Sequence, residues 1–260
     1  MGSKIDRIGE EGVNNFGSRM VIVGYRKWKD IDAYFPQYNW IAKNMRYDHF
    51  KKGNVSCPYE KRVFNIGYIG EGKCKVSENG KHTKCYNTWH DMLRRCYNAK
   101  YHEKKPTYKE CEVCDDWCNY TNFGNWYEEN YYEIEGERMC LDKDILHKGN
   151  KIYSPENCIF VPERINLLFT KNDKTRGKYP IGVHYNKQNK KFRAECSVYD
   201  FETNKKKSRF LGYYNTPTEA FEVYKKFKEK NIKEVADYYK NQIPKDIYDA
   251  MYNYKIDIDD

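Results

Sequence analysis

The spacing of apolar residues changes period several times along the chain, and each change predicts an element. Up to residue 75 the apolar and aromatic side chains come in short runs between charged and polar turns. MVIVGY (20–25) and IDAYF (31–35) carry strand formers, and FNIGYIGEGKCKV (64–76) predicts a further strand pair around its glycines. At 87–98 (NTWHDMLRRCYN) the period lengthens. Trp89, Met92, Leu93 and Cys96 recur at i, i+3, i+4 and i+7, one face of a helix, with Asn87 or Thr88 as its cap and Arg94 and Arg95 off that face. A second helix is predicted after Asn119, with Phe123, Trp126 and Tyr127 on one face and Trp117 in the same core.

Residues 139–169 read as strand, polar loop, strand and helix. LDKDI ends the first strand, YSPEN is turn chemistry, Pro162 fits a first helical position, and Ile165, Leu168 and Phe169 form a buried stripe. A polar, basic linker follows at 171–178. Over 179–242 alternation returns: Phe192, Ala194, Cys196 and Val198 point one way, and Arg193, Glu195, Ser197 and Tyr199 the other. IGVHYNK, KFRAECSVYD and SRFLGYY predict three antiparallel strands. Thr216-Pro217-Thr218-Glu219 is a capping box that opens a helix burying Ala220, Tyr224 and Phe227. A three-stranded sheet packed on one helix leaves its other face open. Residues 243–260 read as an acidic tail. The predicted class is α+β: a small β module (1–80), a ββα domain with flanking helices (81–170), the linker, and a three-stranded sheet on one helix (179–242).

Charge sharpens this picture. The net charge is +9, and residues 171–212 alone hold twelve lysines and arginines against four acids. Residues 110–145 are strongly acidic. A basic patch attracts polyanions by Coulomb forces and counterion release. The content of 17% aromatic residues, with 26 Tyr, suits nucleic-acid contact and equally suits the codon usage of an AT-rich genome. Mean hydropathy is −1.04, and no apolar run approaches the ~20 residues of a membrane span. MGSKIDRIGEEG lacks the apolar core of a signal peptide. A soluble protein inside a cell, with reduced cysteines, is expected. Cys111 and Cys114 form a single CxxC. A zinc site there needs further ligands, which Cys118, Cys140 or Cys158 could supply, and two small, partly buried thiols are the alternative.

The segment 179–242 resembles the Apetala/ethylene-response-factor type of DNA-binding domain. The shared residues are Gly182-Val183, Phe192 (where the family has Trp), Ala194, Leu211-Gly212, Thr216, Glu219-Ala220 and Tyr224. The resemblance implies a sheet that reads the major groove of double-stranded DNA through Arg193, Tyr199 and Arg209, with Lys191 and Lys207 beside them. Arg94 and Arg95 are further candidate DNA contacts.

Residues 86–170 resemble the HNH endonucleases of bacteriophages, in particular a group that joins an HNH region to such a C-terminal domain. The resemblance rests on Trp89-x-x-Met92-x-x-Arg95-Cys96, on Tyr108 through Val113-Cys114-x-x-Trp117 and Phe123, and on LDKDI…YSPENCIFVPERIN. The N-terminal β region is similar to a module that recurs in phage proteins of this kind.

The HNH resemblance implies a metal hairpin whose strand slot falls on Asp142-Lys143-Asp144, whose loop asparagine is Asn157 and whose helix ligand is Asn166. Asp144 and Asn166 would hold magnesium or manganese, an exposed Asp142 would orient water, and Lys143 would contact the phosphate. The family's histidine base is missing, because its position holds Asp142 or Lys143 and His147 lies three residues beyond Asp144. Two functions are therefore expected. One is a metal-dependent homing endonuclease or nickase in the cytoplasm of a bacterial host. The other is an inactive, DNA-binding relative that acts as a regulator or blocks a host defence complex, its acidic stretch meeting a basic partner protein.

Overall fold

The computed structural model describes residues 6–170, 177–201 and 205–258. Residues 171–176, with most of the expected linker and its Lys171, Lys174 and Arg176, lie outside the described residues, as do Met1–Ile5, Glu202 and the end of the expected tail. The fold is mixed α+β. The chain divides into two compact units, Met1–Glu129 and Asn130–Asp260, and the division falls within the expected 81–170 domain. Among the described residues no helix is long and apolar enough to cross a membrane.

In the first unit, strands β1 (Glu11–Val13), β2 (Arg19–Lys27), β3 (Asp30–Phe35) and β4 (Trp40–Met45) form an antiparallel sheet in sequential order. Period-two alternation buries Ile31, Ala33 and Phe35 with Met20 and Ile22, against Tyr47 and Phe50 of helix α1 (Tyr47–Lys51). The strand pair expected at 64–76 does not form. Its backbone pairs elsewhere: Tyr68 N–H donates to the Cys118 carbonyl at 2.9 Å, and Tyr120 N–H donates to the Tyr68 carbonyl at 2.8 Å. A Cβ on Gly67 would stand 2.4 Å from Leu93 Cδ1, so this glycine serves close approach to a helix rather than a hairpin turn.

A short ribbon, β5 (Ser77–Glu78) and β6 (Lys81–His82), leads into α2 (Lys84–Tyr97). The cap of α2 is Thr83, whose hydroxyl accepts from Tyr86 N–H at 3.1 Å, not Asn87 or Thr88. The first turn of α2 carries too few apolar residues to register in the periodicity. Trp89, Met92, Leu93 and Cys96 are buried as expected. After α3 (Ala99–Lys104) and β7 (Glu112–Val113) comes α4 (Tyr120–Asn130), where Asn119 Oδ1 accepts from Thr121 N–H at 3.0 Å. Trp89 Nε1 donates to the Trp117 carbonyl at 2.7 Å, which ties α2 to this segment.

The second unit opens with β8 (Met139–Asp142), β9 (Ile152–Tyr153), β10 (Ile159–Pro162) and α5 (Glu163–Phe169). β8 and β10 pair antiparallel, with Asp142 opposite Ile159. Pro162 caps α5 rather than beginning it. Next come β11 (Val183–Asn186), β12 (Lys191–Asp200) and β13 (Lys205–Tyr214), an antiparallel meander, then α6 (Pro217–Tyr239) with the expected capping box, and α7 (Lys245–Asn253).

One core joins β10 and α5 to the three-stranded sheet, α6 and α7. Val161 and Ile165 of the hairpin and its helix join Ala194 and Cys196 of β12 and Ala220, Ile232 and Val235 of α6. The segment read as an acidic tail contributes Ile243, Ile247, Met251 and Ile256 to the same core. Ile247 and Met251, four apart, face the core from α7, and Ile243 and Ile256 flank the helix, a pattern that the surrounding acids obscure.

Candidate nucleic-acid interface and hairpin site

The hairpin brings Asp142, Lys143 and Asp144 together at the end of β8, but it points two of them inward. Asp142, expected to be exposed, is buried. Its Oδ1 accepts from Asp144 N–H at 2.7 Å and from Ile145 N–H at 2.8 Å, which closes the turn after the strand. Desolvation pushes its pKa above the ordinary carboxylate value, against the pull of those two bonds. Lys143, expected at a phosphate, is also buried. Its Nζ donates to Asp144 Oδ1 at 2.6 Å and to the Asn150 carbonyl at 2.6 Å, and it lies 5.8 Å from the centre of the Tyr153 ring. Asn150, which the sequence did not single out, returns the bond by donating to the Lys143 carbonyl at 2.9 Å. Asn157 Nδ2 donates to Ser154 Oγ at 2.9 Å, inside its own loop.

Asp144 keeps an accessible carboxylate, with 47% of the side chain exposed. Asn166 sits half-buried on α5, its carbonyl accepting from the Thr170 hydroxyl at 3.2 Å. The donors left for magnesium or manganese are thus one carboxylate and one amide oxygen. That carboxylate already faces an ammonium, which a divalent ion would have to displace, so the residues fit a resident metal poorly. His147 is exposed in the loop. Among the described residues no three His, Cys, Asp or Glu side chains converge as a metal site. Cys111 is buried, and its thiol donates to the Thr107 carbonyl at 3.8 Å; Cys114 is half-buried.

The C-terminal sheet divides the five candidate DNA contacts between its two sides. Residues paired across an antiparallel ladder share a side. Arg193 stands opposite His184 on one flank and Tyr213 on the other, and Tyr199 stands opposite Lys206. Arg209 is opposite Cys196, and Lys207 is opposite Val198. Arg209 and Lys207 therefore share the side that α6 covers, and they are exposed only because β13 is an edge strand. Lys207 is also ion-paired with Asp200.

On the open side Arg193 pairs with Glu195, and its guanidinium lies 5.3 Å from the Phe210 ring centre. Phe210 and Tyr213, both exposed, have ring centres 5.0 Å apart. Lys191 lies two residues before Arg193 on the same side, opposite Asn186, and is exposed. Tyr199 belongs to this side by alternation, but its ring is covered by the Arg164 guanidinium at 4.6 Å. Phe210, Tyr213, His184 and Lys206 complete the surface. The sequence offered Phe210, Tyr213 and His184 only as members of predicted strands and Lys206 only as one of the bases of 171–212, and the registers of β11 and β13, with the irregularity at Ala194/Glu195, select them.

Arg94 and Arg95 lie on α2 in the first unit. Arg94 pairs with Asp91 at 3.0 Å, and the Arg95 guanidinium lies 5.9 Å from the Tyr108 ring centre. Comparison of the chain with family models, curated proteins and solved structures gives no match.

Proposed function

We propose that the protein binds double-stranded DNA through the open side of its C-terminal sheet, and that the ββα hairpin is a scaffold for that unit rather than a cutting centre. The observation that carries this reading is the grouping of Lys191, Arg193 and Lys206 with exposed Phe210 and Tyr213 on one sheet side. Cations there would neutralise phosphates, and the rings and guanidinium would lie against sugars and base edges. The scaffold reading is supported by the use of Asp142 and Lys143 in internal bonds and by the hairpin's share in the core.

Cleavage in the manner of an HNH nuclease is the second reading. It is favoured by the strand–loop–strand–helix order and by the accessible Asp144 carboxylate. A supercoiled plasmid incubated with magnesium and then manganese separates the two. Gel retardation without open circles supports binding alone. Nicking that is lost in Asp144→Ala and Asn166→Ala would replace it with a histidine-free nuclease.

A further inference from the structure

Every fourth residue along α6 from Ala220 faces the core: Ala220, Tyr224, Lys228, Ile232 and Ala236. Four of the five suit that position. The fifth is a lysine, only 8% exposed. Lys228 makes no hydrogen bond or ion pair among the described residues. The charged or titratable groups that act on it are the Cys196 thiol and a second cation, Lys206, and burial lowers its pKa. A buried ammonium with no counter-charge is costly unless something supplies one.

The surroundings contain room for such a group. Lys228 and Lys206 both line a cavity of about 460 Å³ within the second unit. β11 leaves β12 at Ala194, and the Glu195 N–H makes the last bond across, to the Gly182 carbonyl at 2.9 Å. From Cys196 to Tyr199 that flank of β12 therefore has no strand neighbour among the described residues, and the cavity lies along it. Its walls are apolar and aromatic, with Leu168, Phe169, Val198, Tyr224, Tyr254 and Ile256 among them. The size falls within the range of small-molecule pockets. The lining combines an aromatic sleeve with three cations: Arg164, which pairs with Glu137, and Lys206 and Lys228, which pair with no acid among the described residues.

We propose that this cavity binds a small aromatic anion, with its ring system between the aromatic walls and a phosphate or carboxylate head on Lys228 and Lys206. The site shares Lys206 with the proposed DNA surface, but Lys228 takes no part in that surface, so the two readings fail separately. It is tested by titrating the full chain calorimetrically with adenosine 5′-monophosphate and with 3-phenylpropionate, each against its neutral counterpart, adenosine or 3-phenylpropanol.

At least one anion is expected to bind saturably at one per chain, and more tightly than its neutral counterpart by roughly tenfold or more, the worth of one charge-assisted bond. Lys228→Met should abolish the difference while remaining folded, because it fills the stripe with an apolar side chain. Lys206→Gln, at an exposed position, should weaken the anion without altering the fold. Binding by the phosphate alone or by the carboxylate alone identifies the head group. The proposal is overturned if neither anion binds at millimolar concentration, if the neutral compounds bind equally well, or if both variants bind as the wild type does.

Discussion

Arg209 on β13 stands directly opposite Cys196 on β12, so it shares the helix-covered side of the sheet, away from Arg193. The two arginines, equivalent in the family resemblance, are therefore not equivalent toward a polyanion on the open side. Arg193→Ala is expected to lower the slope of log K against log salt for duplex DNA by about 1, the loss of one phosphate contact. Arg209→Ala should leave the slope unchanged. An equal or larger effect from Arg209→Ala would place the DNA on the other side.

Asp142 holds the turn after β8 with a buried carboxylate whose pKa is raised by desolvation. A carboxylate with a folded pKa above its unfolded one binds more protons in the folded state between the two values. Stability contributed by the protonated form is therefore lost as pH rises from about 4 through the raised value. Asp142→Asn keeps an acceptor and removes the charge, so it should be more stable than the wild type at neutral pH and lose that advantage below about pH 4. Asp142→Ala removes the acceptor and should cost roughly 1–3 kcal/mol. Urea denaturation across pH measures all three proteins. An Asn variant less stable at pH 7 than at pH 4, relative to wild type, would reverse the sign.

Gly182 has φ +75°, and a Cβ there would stand 2.1 Å from Tyr224 Cδ2 on α6. Both the left-handed backbone and the lack of space select glycine. Gly182→Ala should destabilise the second unit by at least about 1–3 kcal/mol, seen as a lower denaturation midpoint. An unchanged midpoint would mean that β11 does not lie against Tyr224.

The secondary structure of the second unit was largely legible in the sequence. Alternation in β12, the Thr216–Glu219 capping box and the stripe of α6 all read directly. What one strand could not reveal was its partner's register. Phe210 and Tyr213 join Arg193 only because β13 pairs as it does. The hairpin positions were legible as LDKDI and YSPEN, but the inward turn of Asp142 and Lys143 depends on Asn150 and on the Asp144 and Ile145 amides. The glycines at 64–76 misled because a glycine that admits a helix looks the same in sequence as one that turns a hairpin.

Cys111 is a buried thiol that donates to the Thr107 carbonyl, a role open only to its protonated form. A chelator should therefore leave the melting temperature unchanged, and the purified chain should carry no stoichiometric zinc. A lower melting temperature on chelation, with about one zinc per chain by elemental analysis, would make Cys111 and Cys114 ligands.

If the Arg193 side of the sheet is a DNA surface, duplex affinity must depend on salt through the cations on that side. With the wild-type chain, log K should fall linearly with log salt, with a slope of about −0.9 for each phosphate neutralised. The combined Lys191→Ala, Arg193→Ala and Lys206→Ala variant should flatten that slope. Absence of duplex binding at low salt, or a slope that the triple variant leaves intact, would remove the open side of the sheet as a DNA surface.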